Sequence, residues 1–284
     1  MATAMVNVVM DVLYTRPDFL IIGAQKCGTT ALYNYLSQHS QILPAKHKEI
    51  HYFDYRTNHG ELWYRRCFPT RHQIGREQKH LNLPVITGEA SPSYLLYPNA
   101  APRAAAFVPD AKLLVLLRNP VDRAWSHYQM NRSKGLVYDR EQKCEVPREP
   151  LSFDDALVQE EARLQAALLC MEKSDERSLW WRMHSYQKRG LYASQIKRWL
   201  EFFPREQFLF VDSAELLRET SASFHRVLDF LQVQPLDLPV YEQKHVGNYK
   251  ESMSPETRQQ CIKYFRPHNE ELYTLLNRRF DWER

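Results

Sequence analysis

The sequence predicts an α/β fold, one domain in which a central, mostly parallel sheet is flanked by helices, and three observations predict it. Strand-like apolar runs alternate with segments of helical periodicity, the pattern made by crossover helices between parallel strands. Residues 112–118, Lys-Leu-Leu-Val-Leu-Leu-Arg, are nearly continuous in branched apolar side chains, as expected for a strand buried on both faces. Residues 17–30, Pro-Asp-Phe-Leu-Ile-Ile-Gly-Ala-Gln-Lys-Cys-Gly-Thr-Thr, pass from a buried strand through a glycine turn into a helix start.

That turn is the first element with chemistry in it. Gly23 and Gly28 keep the spacing of a nucleotide-binding loop, but Thr29 stands where such a loop carries its lysine, and Lys26 lies inside the turn. Backbone N–H groups, the start of the helix, the Thr29 and Thr30 hydroxyls and the Lys26 charge together suit an anion. The Lys-Ser/Thr pair that handles a triphosphate and its magnesium is absent, so no metal requirement is expected. The fold class is therefore a single P-loop-like domain. A plain glycine turn with a solvated Lys26 is the duller alternative.

Strands are expected at 17–23, 84–88, 112–118 and 207–212, and helices near 29–38, 120–131 and 191–203. After the 112–118 strand, Pro120 suits a first helical turn, which sets Arg123 and Ser126 near one helix face and leaves Arg118 at the strand's carboxyl end. Arg118 and Ser126 are thereby candidates to grip a second phosphate, because ligands of open α/β sheets bind at that end of the strands. Arg123 is either a ligand-binding residue or a structural one, since Asp122 and the nearby acidic residues could hold it. The segment from Lys46 to Asp54 puts Glu49 and His51 among lysines and aromatics, a composition suited to removing a proton from a hydroxyl. Two plainer readings stay open: Glu49 pairs with Lys46 or Lys48 at the surface, and His51 is a hydrogen-bonded core residue. Gly88-Glu-Ala-Ser-Pro-Ser-Tyr94 reads as a strand end breaking into a polar turn. Residues 133–186 interrupt the alternation and read as an insertion on the acceptor side, over the active site. Within it, Trp180 and Trp181 offer either a stacking platform or the seal of a satellite core. Pro255 to Leu276 reads as two helical pieces separated by Pro267.

Bulk properties bound the rest. With 284 residues and 44% hydrophobic content, one large domain with insertions accounts for the chain better than two independent ones. Residues 1–16 are read as an N-terminal extension and 17–284 as the domain. The net charge of +4, with acids and bases interspersed, suits small anionic ligands and gives no reason to expect nucleic acid. Five scattered cysteines do not form a disulfide framework, and the eleven histidines lack zinc-type spacing with them. Met1 to Met10 lacks a basic start and Asp11 interrupts it, so neither a signal peptide nor a membrane span is expected and cytoplasm is the default.

Taken in order, the internal-lysine loop, Lys48-Glu-x-His-x-Phe53, Gly88-Glu-x-x-Pro-x-Tyr94, Arg118-x-Pro-x-x-Arg-x-x-Ser126, Gly190-Leu-Tyr192 with Trp199, and Pro255-Glu-Thr-Arg258 followed by Pro267-His-Asn269 resemble the sulfotransferases that depend on 3′-phosphoadenosine 5′-phosphosulfate (PAPS). The branch most similar is that of the heparan sulfate sulfotransferases and their bacterial relatives. The resemblance implies that Ala24, Gln25, Lys26, Cys27, Gly28, Thr29 and Thr30 hold the 5′-phosphosulfate, and that Arg118 and Ser126 hold the 3′-phosphate. It sets Tyr192 near the nucleotide and Lys26 beside the oxygen that leaves with 3′-phosphoadenosine 5′-phosphate (PAP). It makes Glu49 the general base, with His51 a candidate to assist. Cys27 fills a position that needs a small side chain. Lys244 to Lys250 looks like the loop that folds over the nucleotide, but its sequence departs from the heparan sulfate enzymes. Animal members of the family are mostly Golgi-anchored, so a trimmed catalytic region of that kind is the alternative to a cytoplasmic enzyme.

The acceptor implied is a hydroxyl of a saccharide, a lipid or a polyketide-like small molecule. Lys46, Lys48, Arg65, Arg66 and Arg71 are either the lining of an anionic-saccharide cleft or solvated surface. Two other classes stay in play: a P-loop kinase, disfavoured by the lysine position and by Arg118, and a non-catalytic nucleotide-binding module, disfavoured by the presence of both Lys26 and Glu49.

Overall fold

The computed structural model of the chain describes residues 12–139, 144–165, 179–242 and 251–282. It divides into two compact units, Met1–Leu117 with Lys197–His245, and Arg118–Ile196 with Val246–Arg284.

The first unit is built on a five-stranded sheet of β1 (Phe19–Gly23), β2 (Ile42–Pro44), β3 (Ile86–Ala90), β4 (Lys112–Leu117) and β7 (Phe208–Asp212), in spatial order β2-β3-β1-β4-β7. Every pairing is parallel, so all five carboxyl ends lie along one edge. Burial on both faces explains the unbroken apolar runs: Phe19 to Ile22 and Leu113 to Leu117 are wholly inaccessible. β3 is the exception in composition, Ile-Thr-Gly-Glu-Ala, and its glycine has a packing reason. A Cβ on Gly88 would sit 2.5 Å from the Phe19 ring carbons of the neighbouring strand.

The expected strands form, with shifts of one or two residues. β3 starts at Ile86, two residues past the expected 84, because Pro84 and Val85 precede the ladder; the Pro84 carbonyl instead accepts from Gln41. β2 was not expected. It has three residues and ends in proline, too short for a periodicity, and it sits at the sheet edge where proline is tolerated. The helix Arg71–Leu81 also escaped prediction, since none of its residues is buried; a reciprocal capping box between Thr70 and Gln73 fixes its start.

The second unit packs the helix Pro120–Ser133 against the C-terminal helix Pro255–Leu276, with Phe153–Val158 and Tyr186 closing the core. Asn119 caps the first helix by accepting from the Val121 N–H, and Pro120 occupies the first helical position as predicted. The segment expected as an insertion holds an antiparallel hairpin of β5 (Leu136–Asp139) and β6 (Cys144–Pro147), then Phe153–Val158 and Leu179–His184. Trp181 is buried, which removes it from any exposed stacking pair; the Trp180 side chain lies outside the described residues.

One expectation is overturned. Pro267 does not separate two helices but lies inside a single helix of 22 residues. The carbonyl it deprives of a partner belongs to Lys263. Both residues are on the exposed face, where the freed carbonyl is open to solvent, while Ile262, Phe265, Asn269 and Leu272 keep the opposite face buried. Among the described residues no helix is long and apolar enough to cross a membrane.

Gly88→Ala should destabilise the protein by about 1–3 kcal/mol through overpacking against Phe19. Thermal denaturation should show a midpoint lower by several degrees, and an unchanged midpoint would refute that packing account.

Candidate active site

The loop leaving β1 is stitched into the sheet before it turns. Ala24 donates its N–H to the Leu116 carbonyl of β4 (2.8 Å), and the Ala24 carbonyl accepts from Cys27 (3.2 Å). Cys27 is fully buried, in keeping with a packing role, and its carbonyl accepts from the Ser213 hydroxyl (3.0 Å). Gly28 takes the left-handed conformation (φ +88°) as the residue before the helix Thr29–Leu36, a conformation that favours glycine. The first N–H groups of that helix have no partner within it. Thr29 is buried, while Gln25, Lys26 and Thr30 are partly exposed. The donors named from the sequence thus surround one helix N-terminus, the arrangement that favours phosphate or sulfate oxygens.

The Glu49–His51 segment hangs from the end of β3. The Glu49 N–H donates to the Ala90 carbonyl (3.0 Å), and the His51 N–H donates to the Ser91 hydroxyl (3.0 Å). That hydroxyl in turn donates to Glu89 (2.6 Å). Glu89, fully buried at the second position of the Gly-Glu turn, also accepts from the hydroxyls of Tyr64 (2.7 Å) and Tyr94 (2.8 Å). Burial raises its pKa, opposed by these three hydroxyl donors. The end of β3 is bound to β1 as well, through Ser91 N–H to Ile21 carbonyl (3.1 Å) and Leu95 N–H to Ile22 carbonyl (2.8 Å). The Lys26 loop, which leaves β1, and the Glu49 segment, which follows β2 and is bonded to the end of β3, therefore lie at the same edge of the sheet.

Six described non-glycine residues have positive φ. Asn82, Gln232 and Asn277 follow helix ends, where that conformation is ordinary. The other three are Lys26 (71°), Glu49 (61°) and His51 (60°), the residues singled out as catalytic from the sequence. Such conformations cost about 1–3 kcal/mol each and persist where surrounding bonds impose them, as the β3 hydrogen bonds do for Glu49 and His51.

Side chains at this edge form a line. Asp54, its side chain fully buried, accepts from His51 Nδ1 (2.8 Å), and His51 Nε2 lies 3.6 Å from Glu49 Oε2. Glu49 Oε1 accepts from Lys48 Nζ (2.9 Å). His51 is 9% exposed and Glu49 48% exposed, so the carboxylate is the end of the line that meets solvent. Burial opposes charge on His51, but the Asp54 and Glu49 carboxylates outweigh it and the pKa is raised. Glu49 is held well below the usual carboxylate range, first by the His51 imidazole, against burial, and then by Lys48. Both plain readings from the sequence are thus partly true: Glu49 pairs with Lys48, and His51 is a hydrogen-bonded buried residue, yet the two face each other.

In the second unit, Arg118 is partly exposed at the start of the segment that leads into the Pro120 helix, and Ser126 is buried on that helix. Tyr192 is buried, and its hydroxyl donates to the Arg118 carbonyl (2.9 Å). Asp122 does not hold Arg123. Asp122 pairs with Arg258 (2.8 Å), while Arg123, fully buried, donates to the Tyr186 carbonyl. Arg65 is also reassigned: it is buried, paired with Glu61 and stacked over Phe107, so it lines no cleft, whereas Lys46, Arg66 and Arg71 are exposed. Lys244 and Lys250 lie outside the described residues.

Sequence reasoning missed Asp54 and Glu89. Asp54 was visible three residues after His51, but only the short helix Tyr52–Tyr55 turns it back onto Nδ1. Glu89 was inside a quoted motif, and nothing local says that two tyrosines and a serine converge on it.

Comparison with known proteins assigns the class. Residues 16–269 match the Sulfotransferase domain family, and the chain belongs to that family. Among solved structures, a sulfotransferase from Alicyclobacillus acidocaldarius is 32% identical, with a TM-score of 0.68, covering 95% of this chain and all of that one. The membrane-associated sulfotransferase kil1 of Dictyostelium discoideum is 27% identical across 95% of this chain and 67% of its own length. Human heparan sulfate glucosamine 3-O-sulfotransferase 6 is 29% identical across 94% of this chain and 73% of its own length. The chain spans only 30% of the bifunctional heparan sulfate N-deacetylase/N-sulfotransferases that it also matches. It is an enzyme, a PAPS-dependent sulfotransferase, as the internal-lysine loop led one to expect, and the kinase reading falls away.

Asp54→Asn should lower the His51 pKa, because the carboxylate that accepts from Nδ1 is gone, and should cut turnover about tenfold. An imidazole NMR titration reads the first effect directly; a His51 midpoint unmoved by the substitution would mean that Asp54 does not support its charge.

Proposed function

We propose that this enzyme transfers the sulfuryl group of PAPS to an acceptor hydroxyl, with Glu49 as the general base and Lys26 as the charge that stabilises the departing phosphate. The observation that carries the reading is the Asp54–His51–Glu49 line, set in strained backbone at the same sheet edge as the Lys26 loop. The donor supplies an activated sulfuryl group whose leaving phosphate gains negative charge as the bond to sulfur breaks. Ala24 to Thr30 suit its 5′ end, since the chain there offers N–H groups, two hydroxyls and an ammonium around a helix N-terminus. Arg118 and Ser126 are the pair for the 3′-phosphate, and Tyr192, bonded to the Arg118 carbonyl, belongs with them. Lys26 favours the transition state over the ground state because the charge it faces is larger there.

Glu49 accepts the hydroxyl proton. A carboxylate held so low in pKa does not deprotonate an alcohol in advance; proton transfer runs with attack on sulfur, when the hydroxyl becomes acidic. That coupling suits an alcohol acceptor. It also keeps Glu49 ionised to well below the pH at which an ordinary glutamate protonates. Lys48 and His51 hold the carboxylate in place at its half-exposed position. Saccharide hydroxyls are the first acceptors to screen, given the 3-O-sulfotransferase among the relatives, with hydroxylated lipids and polyketide-like chains next.

Glu49→Gln should leave PAP affinity within twofold while lowering turnover at least a hundredfold, as loss of a general base does. Calorimetry and a radiolabelled-sulfate transfer assay read the two quantities separately. Normal turnover in the variant would move the base elsewhere.

A further inference from the structure

A buried carboxylate in the second unit takes no part in the chemistry above. Glu160 is 3% exposed, and its two oxygens accept from consecutive backbone N–H groups, Oε2 from Gln187 (2.7 Å) and Oε1 from Lys188 (2.8 Å). Those N–H groups open the one-turn 3-10 helix Lys188–Gly190. The other side of the turn is held by Gln195, whose Nε2 donates to the carbonyls of Lys188 (3.0 Å), Arg189 (3.3 Å) and Leu191 (3.0 Å). The turn is wedged tightly: a Cβ on Gly190 would lie 2.7 Å from the Phe265 ring and 2.9 Å from Pro120 Cβ. Two residues on, the Tyr192 hydroxyl donates to the Arg118 carbonyl. The turn thus bears on both ends of the Arg118–Pro120 segment, through Gly190 on Pro120 and through Tyr192 on Arg118.

We infer that Glu160 is a positioning residue for the donor's 3′-phosphate, clamping the 188–190 turn so that Gly190 and Tyr192 fix Arg118 and the start of the Ser126 helix. The inference rests on the assignment of Arg118 and Ser126 to that phosphate. An apolar side chain of similar size would fill the same space, so packing alone does not account for a carboxylate here. What a carboxylate adds is two acceptors for two adjacent N–H groups in a dry site, where an unmet N–H is costly.

Protonation changes this clamp, because a carboxylic acid presents one acceptor and one O–H where the turn offers two donors. Burial raises the Glu160 pKa to about 7, with the Gln187 and Lys188 N–H groups and the Arg123 guanidinium pulling it down. The titratable groups facing it are Arg123 from the Pro120 helix and Cys261 and Tyr264 from the C-terminal helix. The folded-state value lies above that of an unfolded glutamate, so this group's contribution to stability is fully present below the unfolded value and is lost as pH rises through about 7. The clamp itself runs the other way. It is complete only above that pH, and a net stability gain on acidification would accompany a loosened phosphate grip.

The test compares the dissociation constants of PAP and AMP, which differ by the 3′-phosphate, in wild type and Glu160→Gln. The amide retains one acceptor and turns an N–H donor toward the other backbone N–H. The PAP dissociation constant should rise about tenfold while that for AMP changes less than twofold, so the preference for the 3′-phosphate shrinks about tenfold. Between pH 8 and 6 the wild-type PAP affinity should weaken more than that of the variant, a comparison in which titration of the ligand's own phosphates cancels. Should Glu160→Gln fail to fold, Tyr192→Phe, which removes only the hydroxyl on the Arg118 carbonyl, should reproduce the selective loss in smaller measure. A variant that melts earlier yet keeps the wild-type preference would make Glu160 merely structural and overturn the inference. Arg118→Ala separates the two claims: if it too keeps the preference, the phosphate assignment itself is wrong; if it loses the preference while both Glu160→Gln and Tyr192→Phe keep it, only the positioning role fails.

Discussion

The parallel pairing of β3 with β1 is the constraint on which the candidate site depends. The Lys26 loop leaves the sheet at the carboxyl end of β1, and the Glu49–His51 segment, which follows β2, is tied to the carboxyl end of β3; the two strands are joined beyond the ladder by Ser91 to Ile21 and Leu95 to Ile22. The 49–51 segment is then suspended from Ala90 and Ser91. Phe19 and Gly88 lock the register, since no side chain fits at the second position. A slip of this pair would carry the Glu49–His51 segment away from the Lys26 loop without altering either segment locally.

Upon that frame the site is electrostatically directed. Asp54 at the buried end, His51 between and Glu49 at the exposed end form a row of carboxylate, imidazole and carboxylate, with the Lys48 ammonium closing it. His51 and Lys48 favour an ionised Glu49 at the cost of its basicity. Burial at the near end and half exposure at the far end give the carboxylate both a fixed orientation and access to solvent. The left-handed backbone at Glu49 and His51 is maintained by their bonds to Ala90 and Ser91 and is the structural counterpart of that orientation.

Much of this was legible in the chain. Leu113 to Leu117 announced a two-sided buried strand, and Gly23, Lys26 and Gly28 announced an anion loop of unusual type, because both signals are local. Long-range bonds were not legible. Nothing near Glu89 says that Tyr64 joins it, and nothing near Asp122 says that its partner is Arg258 rather than Arg123. Pro267 misled because the rule that proline ends helices weighs the lost hydrogen bond and not the exposed face on which this one is lost. Arg65 looked like surface because charge usually is; Glu61 and Phe107 bury it. The acceptor is the least legible element, since the residues near Glu49 that would meet it are a few exposed side chains with no pattern of their own.

The most direct test of the account is a thermal-shift comparison, without magnesium, of PAP against ADP and ATP on the wild-type protein. At about a hundred times its dissociation constant, a ligand bound only by the folded state adds about 2.7 kcal/mol, enough to raise the midpoint by several degrees. The account predicts stabilisation by PAP well beyond that by either nucleotide lacking a 3′-phosphate. Equal shifts with all three, or a shift only with ATP once magnesium is added, would contradict it.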